Sequence, residues 1–189
     1  CALRLMLSAA AARKIFEDAE QIYSAAEVTA AIQKLAAAIT ENLQYDHPLV
    51  LSVMGGAVVF SGQLLPLLNF PLEFDAIHVS RYGNATSGGE LVWRVLPKET
   101  IAGRTILVLD DILDEGHTLA AIHAKMRELG ASKVVSAVLV EKMIDRAKPI
   151  RAEFVGLEVP NRYVFGCGMD VHGAWRNLPA IYALKRVEE

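Results

Sequence analysis

The chain has 189 residues, of which 53% are apolar and 22% charged, and its formal net charge at neutral pH is −3. This length is typical of one domain, and the apolar content is sufficient for a buried core, which excludes a disordered chain. A net negative charge argues against a broad nucleic-acid-binding surface, because such a surface needs clustered Lys and Arg. A small basic pocket for a phosphorylated metabolite remains compatible with it.

The N-terminal quarter of the chain predicts two helices. A helical pattern runs through residues 11–21, which favours an ordinary helix over a signal peptide, although the chain begins at Cys1 and its first residues are apolar. Ser24 and Glu27 then form a Ser-x-x-Glu capping box. An apolar stripe at helical spacing over residues 28–43 predicts a helix that ends near Leu43.

The next stretch, residues 48–72, contains no charged residue and has the length of a membrane span. Glycines and a proline interrupt it, which disfavours a span. We expect instead a buried strand over Leu49–Met54, a glycine turn, and a buried helix over Ala57–Leu68.

Strands and helices continue to alternate up to residue 145. The predicted elements are strands over Glu73–Ser80, Leu91–Leu96, Thr105–Leu109 and Val134–Val140, a helix over His117–Leu129, and a polar, glycine-rich loop over Arg81–Glu90. Continuous apolar strands separated by helices predict an α/β fold whose parallel sheet is covered on both faces.

After Asp145 the pattern changes to short strands. They are predicted over Glu153–Val159, Tyr163–Phe165 and Ile181–Leu184. We interpret residues 1–189 as a single domain, with a core over about 25–145 and a small hood formed by residues 1–24 and 146–189. The two cysteines, Cys1 and Cys167, are too few for a disulfide scaffold, and no Cys/His cluster has zinc-site spacing.

The segment from residue 106 to residue 118 is the most informative part of the chain. Four apolar residues lead into Asp110 and Asp111, and Gly116 and Thr118 then open a helix. Ligands bind at the carboxyl ends of parallel strands, and a helix N-terminus suits a phosphate. Because carboxylates repel phosphate, the two acids suit hydroxyls, a metal ion or a cation beside it. Sugar hydroxyls next to a phosphate describe a ribose 5-phosphate.

Other interpretations of this segment stay open on the residues alone. Acidic residues at strand ends are commonly solvated turn residues. An apolar strand that ends in Asp also resembles a Walker B strand, but that function requires a GxxxxGK[ST] loop, which the chain lacks. A response-regulator-type acidic pocket has no support beyond the strand ending in Asp.

The same segment resembles the motif for 5-phosphoribosyl pyrophosphate (PRPP) in type I phosphoribosyltransferases: four apolar residues, two acids, two apolar residues, then Asp-x-Gly-x-Thr. Over about residues 25–185 the chain resembles the hypoxanthine-guanine branch of that family. The segments that carry this resemblance are 140–142, 154–160, 163–166, 169–170 and 175–179. The resemblance implies the type I phosphoribosyltransferase fold, a parallel sheet with a small hood.

The resemblance also implies roles for the residues of the motif. Asp110 and Asp111 would bind the ribose 2′- and 3′-hydroxyls, and Asp114 would be the general acid/base at N7 of a purine. The 5′-phosphate would lie on a backbone cradle completed by the Thr118 hydroxyl. The cradle consists of Asp114, Glu115, Gly116, His117 and Thr118.

Purine recognition is implied for residues nearer the C-terminus. Lys142 would donate to the purine O6 and so select 6-oxopurines, Tyr163 would stack on the base, and the Val164 backbone would read the ring edge. Asp170 is counted with this group and would also reach a Mg²⁺ ion on the pyrophosphate, directly or through water. Taken singly, each has an ordinary structural explanation, such as a surface lysine or a turn carboxylate. Their joint presence in this order favours the functional roles.

Pyrophosphate binding is implied for Arg176 and for the backbone of Gly55 and Gly56. Asp110 and Asp111 are the other candidate metal ligands beside Asp170.

Two departures from the family pattern affect the pyrophosphate site. Met54 stands where relatives usually carry Lys or Arg, and Arg81 precedes the lid residue Tyr82 where relatives usually carry Ser. We hypothesise that Arg81, on the lid over residues 81–90, takes over part of the pyrophosphate neutralisation.

The function that the resemblance implies is purine salvage. A 5-phosphoribosyl group would pass from PRPP to N9 of hypoxanthine or guanine, with Mg²⁺ as cofactor, to give IMP or GMP and pyrophosphate. A cytoplasmic homodimer or homotetramer is expected, with the helix at residues 57–68 as a candidate interface and with neither a nucleic-acid nor a membrane partner. The alternatives are a xanthine-preferring enzyme and a non-catalytic, nucleic-acid-binding regulator, which would need a basic face and could lose Asp114.

Overall fold

The computed structural model describes residues 7–81 and 91–185, apart from the Arg81 side chain. Its described elements fall into two sheets and four α-helices. In chain order they are α1 (Ala9–Asp18), β1 (Glu20–Tyr23), α2 (Ala25–Leu43), β2 (Leu49–Met54), α3 (Val58–Leu64), a 3-10 helix (Leu65–Leu67), β3 (Glu73–Arg81), β4 (Leu91–Val95), β5 (Thr105–Leu113), α4 (His117–Glu128), β6 (Lys133–Lys142), β7 (Phe154–Val159), β8 (Val164–Phe165) and β9 (Ile181–Ala183).

The larger sheet has six strands in the order β4-β3-β2-β5-β6-β7. All neighbouring pairs are parallel except β3 and β4. Alternate residues of β5 feed two separate cores: Leu107 and Leu109 pack with α2 and α3, whereas Ile106 and Val108 pack with α4. The expected parallel sheet covered on both faces is therefore confirmed.

Helix α2 forms where its sequence signals predict. The Ser24 backbone N–H donates to the Glu27 carboxylate at 2.8 Å, and the Glu27 N–H donates to the Ser24 hydroxyl at 3.3 Å. Such a cap contributes about 1 kcal/mol to helix stability. The apolar stripe over residues 28–43 is buried against the sheet, which confirms the predicted periodicity.

The smaller sheet joins the two ends of the chain. Its order is β1-β9-β8, with antiparallel pairing throughout. Phe16 of α1 lies 5.1 Å from the ring of Trp175 and 5.0 Å from that of Tyr182. The indole N–H of Trp175 donates to Ala12 O at 2.7 Å. The N-terminal and C-terminal segments therefore pack together around the smaller sheet.

Three predicted boundaries in these regions are wrong. The strand over Glu153–Val159 was assigned to the hood, but β7 is the edge strand of the large sheet because it pairs in parallel with β6. The helix over Ala57–Leu68 is shorter, since Pro66 turns its end into a 3-10 helix. The N-terminal helix ends at Asp18, and residues 20–23 pair with β9 instead.

The largest boundary error concerns the strand predicted over Thr105–Leu109. Strand β5 continues to Leu113, because its parallel ladder with β6 extends to the pair Leu113 and Glu141. Asp110 and Asp111 therefore lie within the strand and not after it. Among the described residues, no helix is both long and apolar enough to cross a membrane.

His123 of α4 is a buried titratable group in this fold. Its side chain is 1% exposed, and neither ring nitrogen has a hydrogen-bond partner among the described residues. Burial lowers the pKa of His123; the nearby Glu153 carboxylate opposes this, and Arg127 adds to it. The folded protein therefore resists protonation at His123, whereas the unfolded chain takes up a proton near pH 6.5.

We therefore expect acid to destabilise the wild type more than a His123→Met variant. As the pH falls from 7.5 to 5.5, the free energy of unfolding should decrease faster in the wild type, by at most about 1.4 kcal/mol per pH unit. Urea unfolding at several pH values measures this, and all other titrating groups contribute equally to both proteins. If the free energy of unfolding depends on pH in the same way in both proteins, His123 is not the cause of the acid destabilisation.

Candidate active site

The carboxyl ends of β5 and β6 place a carboxylate against an ammonium group. The two strands pair with Leu113 opposite Glu141, so Asp114 and Lys142 are the next residues on each chain segment. The Lys142 Nζ donates to the Asp114 Oδ2 at 2.6 Å. The side chain of Lys142 is 13% exposed and that of Asp114 47%. Water screens this pair, so its contribution to stability is small and the partners are free to exchange for a ligand.

Two cavities open on either side of Asp114. The larger, of about 400 Å³, extends from the β2–α3 turn across the end of β5 to the start of α4. The smaller, of about 210 Å³, lies between β5 and the hood. Asp111, Ile112 and Asp114 line both cavities. A ligand with two chemically different parts could therefore occupy both cavities, with the bond that joins the parts close to Asp114.

The larger cavity ends on the N-terminus of α4. Gly116 is the N-cap residue with φ +83°, a left-handed conformation that glycine adopts without strain, and it provides no side-chain cap. The first amides of the helix therefore face this cavity, which is the arrangement that binds phosphates. Glu115 also lines it, and its carboxylate is paired with Arg146. That pairing reduces the repulsion of an anion.

Asp110 and Asp111 supply acidic groups at the floor of the larger cavity. Burial raises the pKa of Asp110 well above its usual value, and the neighbouring Asp111 charge raises it further. Burial also raises the pKa of Asp111, while the Arg176 guanidinium and hydrogen bonds from nearby groups act in the opposite direction. Two adjacent, poorly solvated carboxyl groups are suited to ligands that satisfy them, such as hydroxyls or a cation.

Gly56 makes room for one of these carboxylates. A Cβ atom on Gly56 would lie 1.8 Å from Asp111 Oδ2, and a Cβ atom on Gly168 would lie 1.8 Å from the Gly56 carbonyl oxygen. The hood loop therefore packs directly on the backbone of the β2–α3 turn, and that turn packs against the Asp111 carboxylate of β5. No side chain fits at either glycine without moving the site.

The smaller cavity carries the hood residues. Arg176 donates to the Gly168 carbonyl oxygen at 2.6 Å and also to the Asp170 carboxylate. The second Asp170 oxygen accepts from the Gly173 N–H at 2.6 Å, and Tyr163 donates its hydroxyl to the Asp170 carbonyl at 3.1 Å. Tyr163 is half exposed, so it offers a ring face at the cavity that Lys142 also lines.

Comparison with known proteins agrees with this geometry. The profile of the family described as "Phosphoribosyl transferase domain" matches residues 18–172, most of the chain. The chain belongs to this family.

Individual relatives of this chain are phosphoribosyltransferases that are named for 6-oxopurine bases. The hypoxanthine-guanine phosphoribosyltransferase of Bacillus subtilis is 36% identical over 170 residues, covering 89% of this chain and 94% of its own. The hypoxanthine-guanine-xanthine phosphoribosyltransferase of Tritrichomonas foetus is 36% identical over 175 residues, covering 90% and 94%. The resemblance stated from the sequence is thereby confirmed.

Solved structures share the fold. A hypoxanthine-guanine-xanthine phosphoribosyltransferase superposes with a TM-score of 0.80 at 31% identity, over 90% of this chain and 99% of the other. A hypoxanthine phosphoribosyltransferase of Staphylococcus aureus gives a TM-score of 0.85 at 24% identity, over 91% and 95%. The expected fold class is confirmed.

Most predicted site residues of this phosphoribosyltransferase line the two cavities. Those at the larger cavity are Gly56, Asp110, Asp111, Asp114, Glu115, Gly116 and Thr118. Those at the smaller cavity are Asp111, Asp114, Lys142, Tyr163, Val164, Asp170 and Arg176.

Among the remaining predicted residues that the structure describes, Gly55 and His117 line neither cavity. Gly55 and His117 are exposed, and His117 is the first residue of α4. Tyr82 and the rest of the predicted lid, together with the Arg81 side chain, lie outside the described part of the structure. Met54, the departure from the family pattern, does line the larger cavity.

The sequence analysis gave no site role to Lys148 or to Met169. Met169 lines the smaller cavity next to Asp170, and it belongs to the segment 169–170 that carries the family resemblance. Lys148 stands among other basic residues after β6, and nothing in its spacing distinguishes it. Its Nζ nevertheless contacts the ends of both β5 and β6.

We expect a Gly56→Ala variant to weaken binding of PRPP, the ligand that the family motif implies. The added methyl group must displace the Asp111 carboxylate, and a lost hydrogen bond to a charged group corresponds to roughly 10- to 100-fold in affinity. Calorimetric titration with PRPP measures the change. Gly62→Ala is the matched control, because nothing lies within 4 Å of a Cβ atom there. If a folded Gly56→Ala variant binds PRPP as tightly as the wild type, Asp111 does not contact this ligand.

Proposed function

We propose that this protein transfers the 5-phosphoribosyl group of PRPP to N9 of hypoxanthine or guanine, giving the nucleoside monophosphate and pyrophosphate. The observation that supports this most directly is the Asp114–Lys142 pair at the junction of two cavities. One cavity has the chemistry of a sugar phosphate site, and the other has an aromatic face and a buried ammonium group, which suit a purine. The names of the relatives agree with this division.

In the larger cavity the chain binds the phosphoribosyl group. The amides at the start of α4 and the Thr118 hydroxyl hold the 5′-phosphate, and Asp110 and Asp111 accept hydrogen bonds from the ribose hydroxyls. These hydroxyls relieve the repulsion between the two buried acids. The ribose is thereby fixed with its anomeric carbon towards the junction, close to Asp114.

In the smaller cavity the chain holds the purine. Tyr163 stacks on the ring, the Val164 backbone meets its edge, and Lys142 donates to O6. With three N–H donors, Lys142 can keep its hydrogen bond to Asp114 while it donates to the base. Asp114 is then held at N7, where it accepts or returns a proton as the bond to N9 forms. A 6-amino group would face the ammonium donor, so adenine is excluded.

Pyrophosphate departure requires positive charge near the β2–α3 turn. Arg176 supplies it from the hood, where its contacts with Gly168 and Asp170 orient the guanidinium. The backbone after Met54 also contacts the pyrophosphate. The hypothesis that Arg81 compensates for the uncharged Met54 remains a prediction.

Mg²⁺ is the cofactor that this chemistry favours, and the residues fit it. Asp110 and Asp111 offer hard carboxylate oxygens at the larger cavity, and Asp170 lies across the smaller one. Among the described residues, no group of three or more metal-binding side chains occurs. Such a site suits Mg²⁺, which keeps several waters and binds through one or two carboxylates and substrate phosphates. The bound ion would neutralise charge on the pyrophosphate.

Xanthine is a second candidate base. The Tritrichomonas foetus relative and one solved structure carry xanthine in their names, and the chain is 36% and 31% identical to them. Recognition at the purine C2 group decides among the three bases. The nucleic-acid-binding alternative has no such support. By the same kinship we propose a cytoplasmic homo-oligomer, either a dimer or a tetramer.

A direct assay tests this function. Purified protein with PRPP and Mg²⁺ should form pyrophosphate and a nucleoside monophosphate from hypoxanthine or guanine, and none from adenine. The Asp114→Asn variant should fold and bind PRPP but turn over about 10²- to 10⁴-fold more slowly, as expected for a general acid/base. Adenine turnover equal to that of hypoxanthine would contradict the role of Lys142. Wild-type turnover in Asp114→Asn would contradict that of Asp114.

A further inference from the structure

Lys148 is a buried cation directly behind the candidate active site. Its side chain is 9% exposed, and its Nζ donates to three oxygens: the Lys142 carbonyl at 2.7 Å, the Glu141 carboxylate at 2.9 Å and the Leu113 carbonyl at 3.1 Å. An ammonium group has three N–H donors, so this set uses all of them. Lys148 therefore has no donor left for a substrate.

Two of these acceptors belong to the peptides that carry the central pair. The Leu113 carbonyl is part of the peptide that leads into Asp114, and the Lys142 carbonyl is part of the peptide that leaves Lys142. One nitrogen atom thus links the backbone at the end of β5 to the backbone at the end of β6. The side chains of Asp114 and Lys142, which follow from these same peptides, meet at 2.6 Å.

The stem of Lys148 also supports the phosphate-binding turn. Its Cβ lies 3.4 Å from the position that a Cβ atom would occupy on Gly116, beside atoms of Pro149 and Ile150 at the same distance. The segment after β6 therefore packs beneath the turn that joins β5 to α4. Its only buried charge is that of Lys148, which Glu141 balances.

We propose that Lys148 is a positioning residue that holds Asp114 and Lys142 at the separation needed to act on a 6-oxopurine. This inference rests on the proposed function. Without the ammonium group, the carbonyls of Leu113 and Lys142 lose their common donor and Glu141 loses its partner. The strand ladder remains, but the peptides at the ends of β5 and β6 that carry Asp114 and Lys142 are held less firmly. A misplacement of about 1 Å at a reacting group costs on the order of 10²-fold in rate.

The experiment compares Lys148→Met and Lys148→Arg with the wild type and with Lys133→Met. Lys133 lies at the N-terminal end of β6, far from the end that Lys148 contacts, and it pairs with Asp46 on the surface at 3.0 Å. For each protein, kcat and KM for hypoxanthine, the affinity for PRPP and the melting temperature are measured.

In Lys148→Met, kcat/KM for hypoxanthine should fall about 10-fold or more, while PRPP affinity changes less than about 3-fold, because Lys148 shares no contact with the α4 amides or with Asp110 and Asp111. Lys148→Arg keeps the charge and the donors, so it should retain more activity than Lys148→Met. Lys133→Met should match the wild type. A residue that only stabilises the fold would lower the melting temperature without this difference between the two substrates.

Wild-type kinetics in a folded Lys148→Met variant would overturn the proposal, as would an equal loss for both substrates. If Lys148→Met does not fold, Lys148→Leu is measured instead, because it also keeps an apolar side chain beside Pro149 and Ile150 but donates to neither carbonyl. Wild-type kinetics there, or failure of that variant to fold as well, would leave Lys148 a stability residue and refute the positioning role. Absence of turnover in the wild type would refute the proposed function itself, which distinguishes the two failures.

Discussion

The parallel pairing of β5 with β6 is the constraint on which the site depends. Because Leu113 lies opposite Glu141, the two strands end side by side, and Asp114 meets Lys142 at 2.6 Å. A shift of the register by one residue would turn one of these side chains to the other face of the sheet. Both hydrophobic cores contribute to this register, since successive residues of β5 pack on opposite faces. The packing that stabilises the fold therefore also positions a half-exposed carboxylate and a largely buried ammonium group.

The surrounding structure makes this arrangement possible at some cost in solvation. Asp110 and Asp111 are held where burial raises their pKa values, which is unfavourable until ligands satisfy them. Gly56 allows the β2–α3 turn to approach the Asp111 carboxylate, and Gly168 allows a hood loop to approach the backbone of Gly56. The hood itself brings Arg176 to the same place, and α1 packs against it through Trp175. Strand β5, the β2–α3 turn and the hood therefore all contribute to the place where the two cavities meet.

Local patterns in the sequence were sufficient for much of the fold. The capping box, the apolar stripe and the continuous apolar strands predicted α2 and the parallel sheet, and the 106–118 motif indicated the family. These local patterns gave wrong predictions where pairing between residues far apart in the sequence determines the structure. Asp110 and Asp111 look like turn residues after an apolar strand, but pairing with β6 keeps residues 110–113 in β5. Strand β7 looked like a hood element because its place beside β6 is not encoded in its own residues. The contacts of Lys148 arise from the same tertiary packing.

The central claim is that Asp114 and Lys142 act as one unit on the purine. A double-mutant cycle on kcat/KM for hypoxanthine, using Asp114→Asn, Lys142→Ala and the double variant, tests it most directly. If each residue holds the other in place, the first substitution removes most of what the second contributes. The double variant should then lose less than the sum of the single losses, by roughly 1–3 kcal/mol. Losses that add to within about 0.5 kcal/mol would show two independent residues and contradict the account.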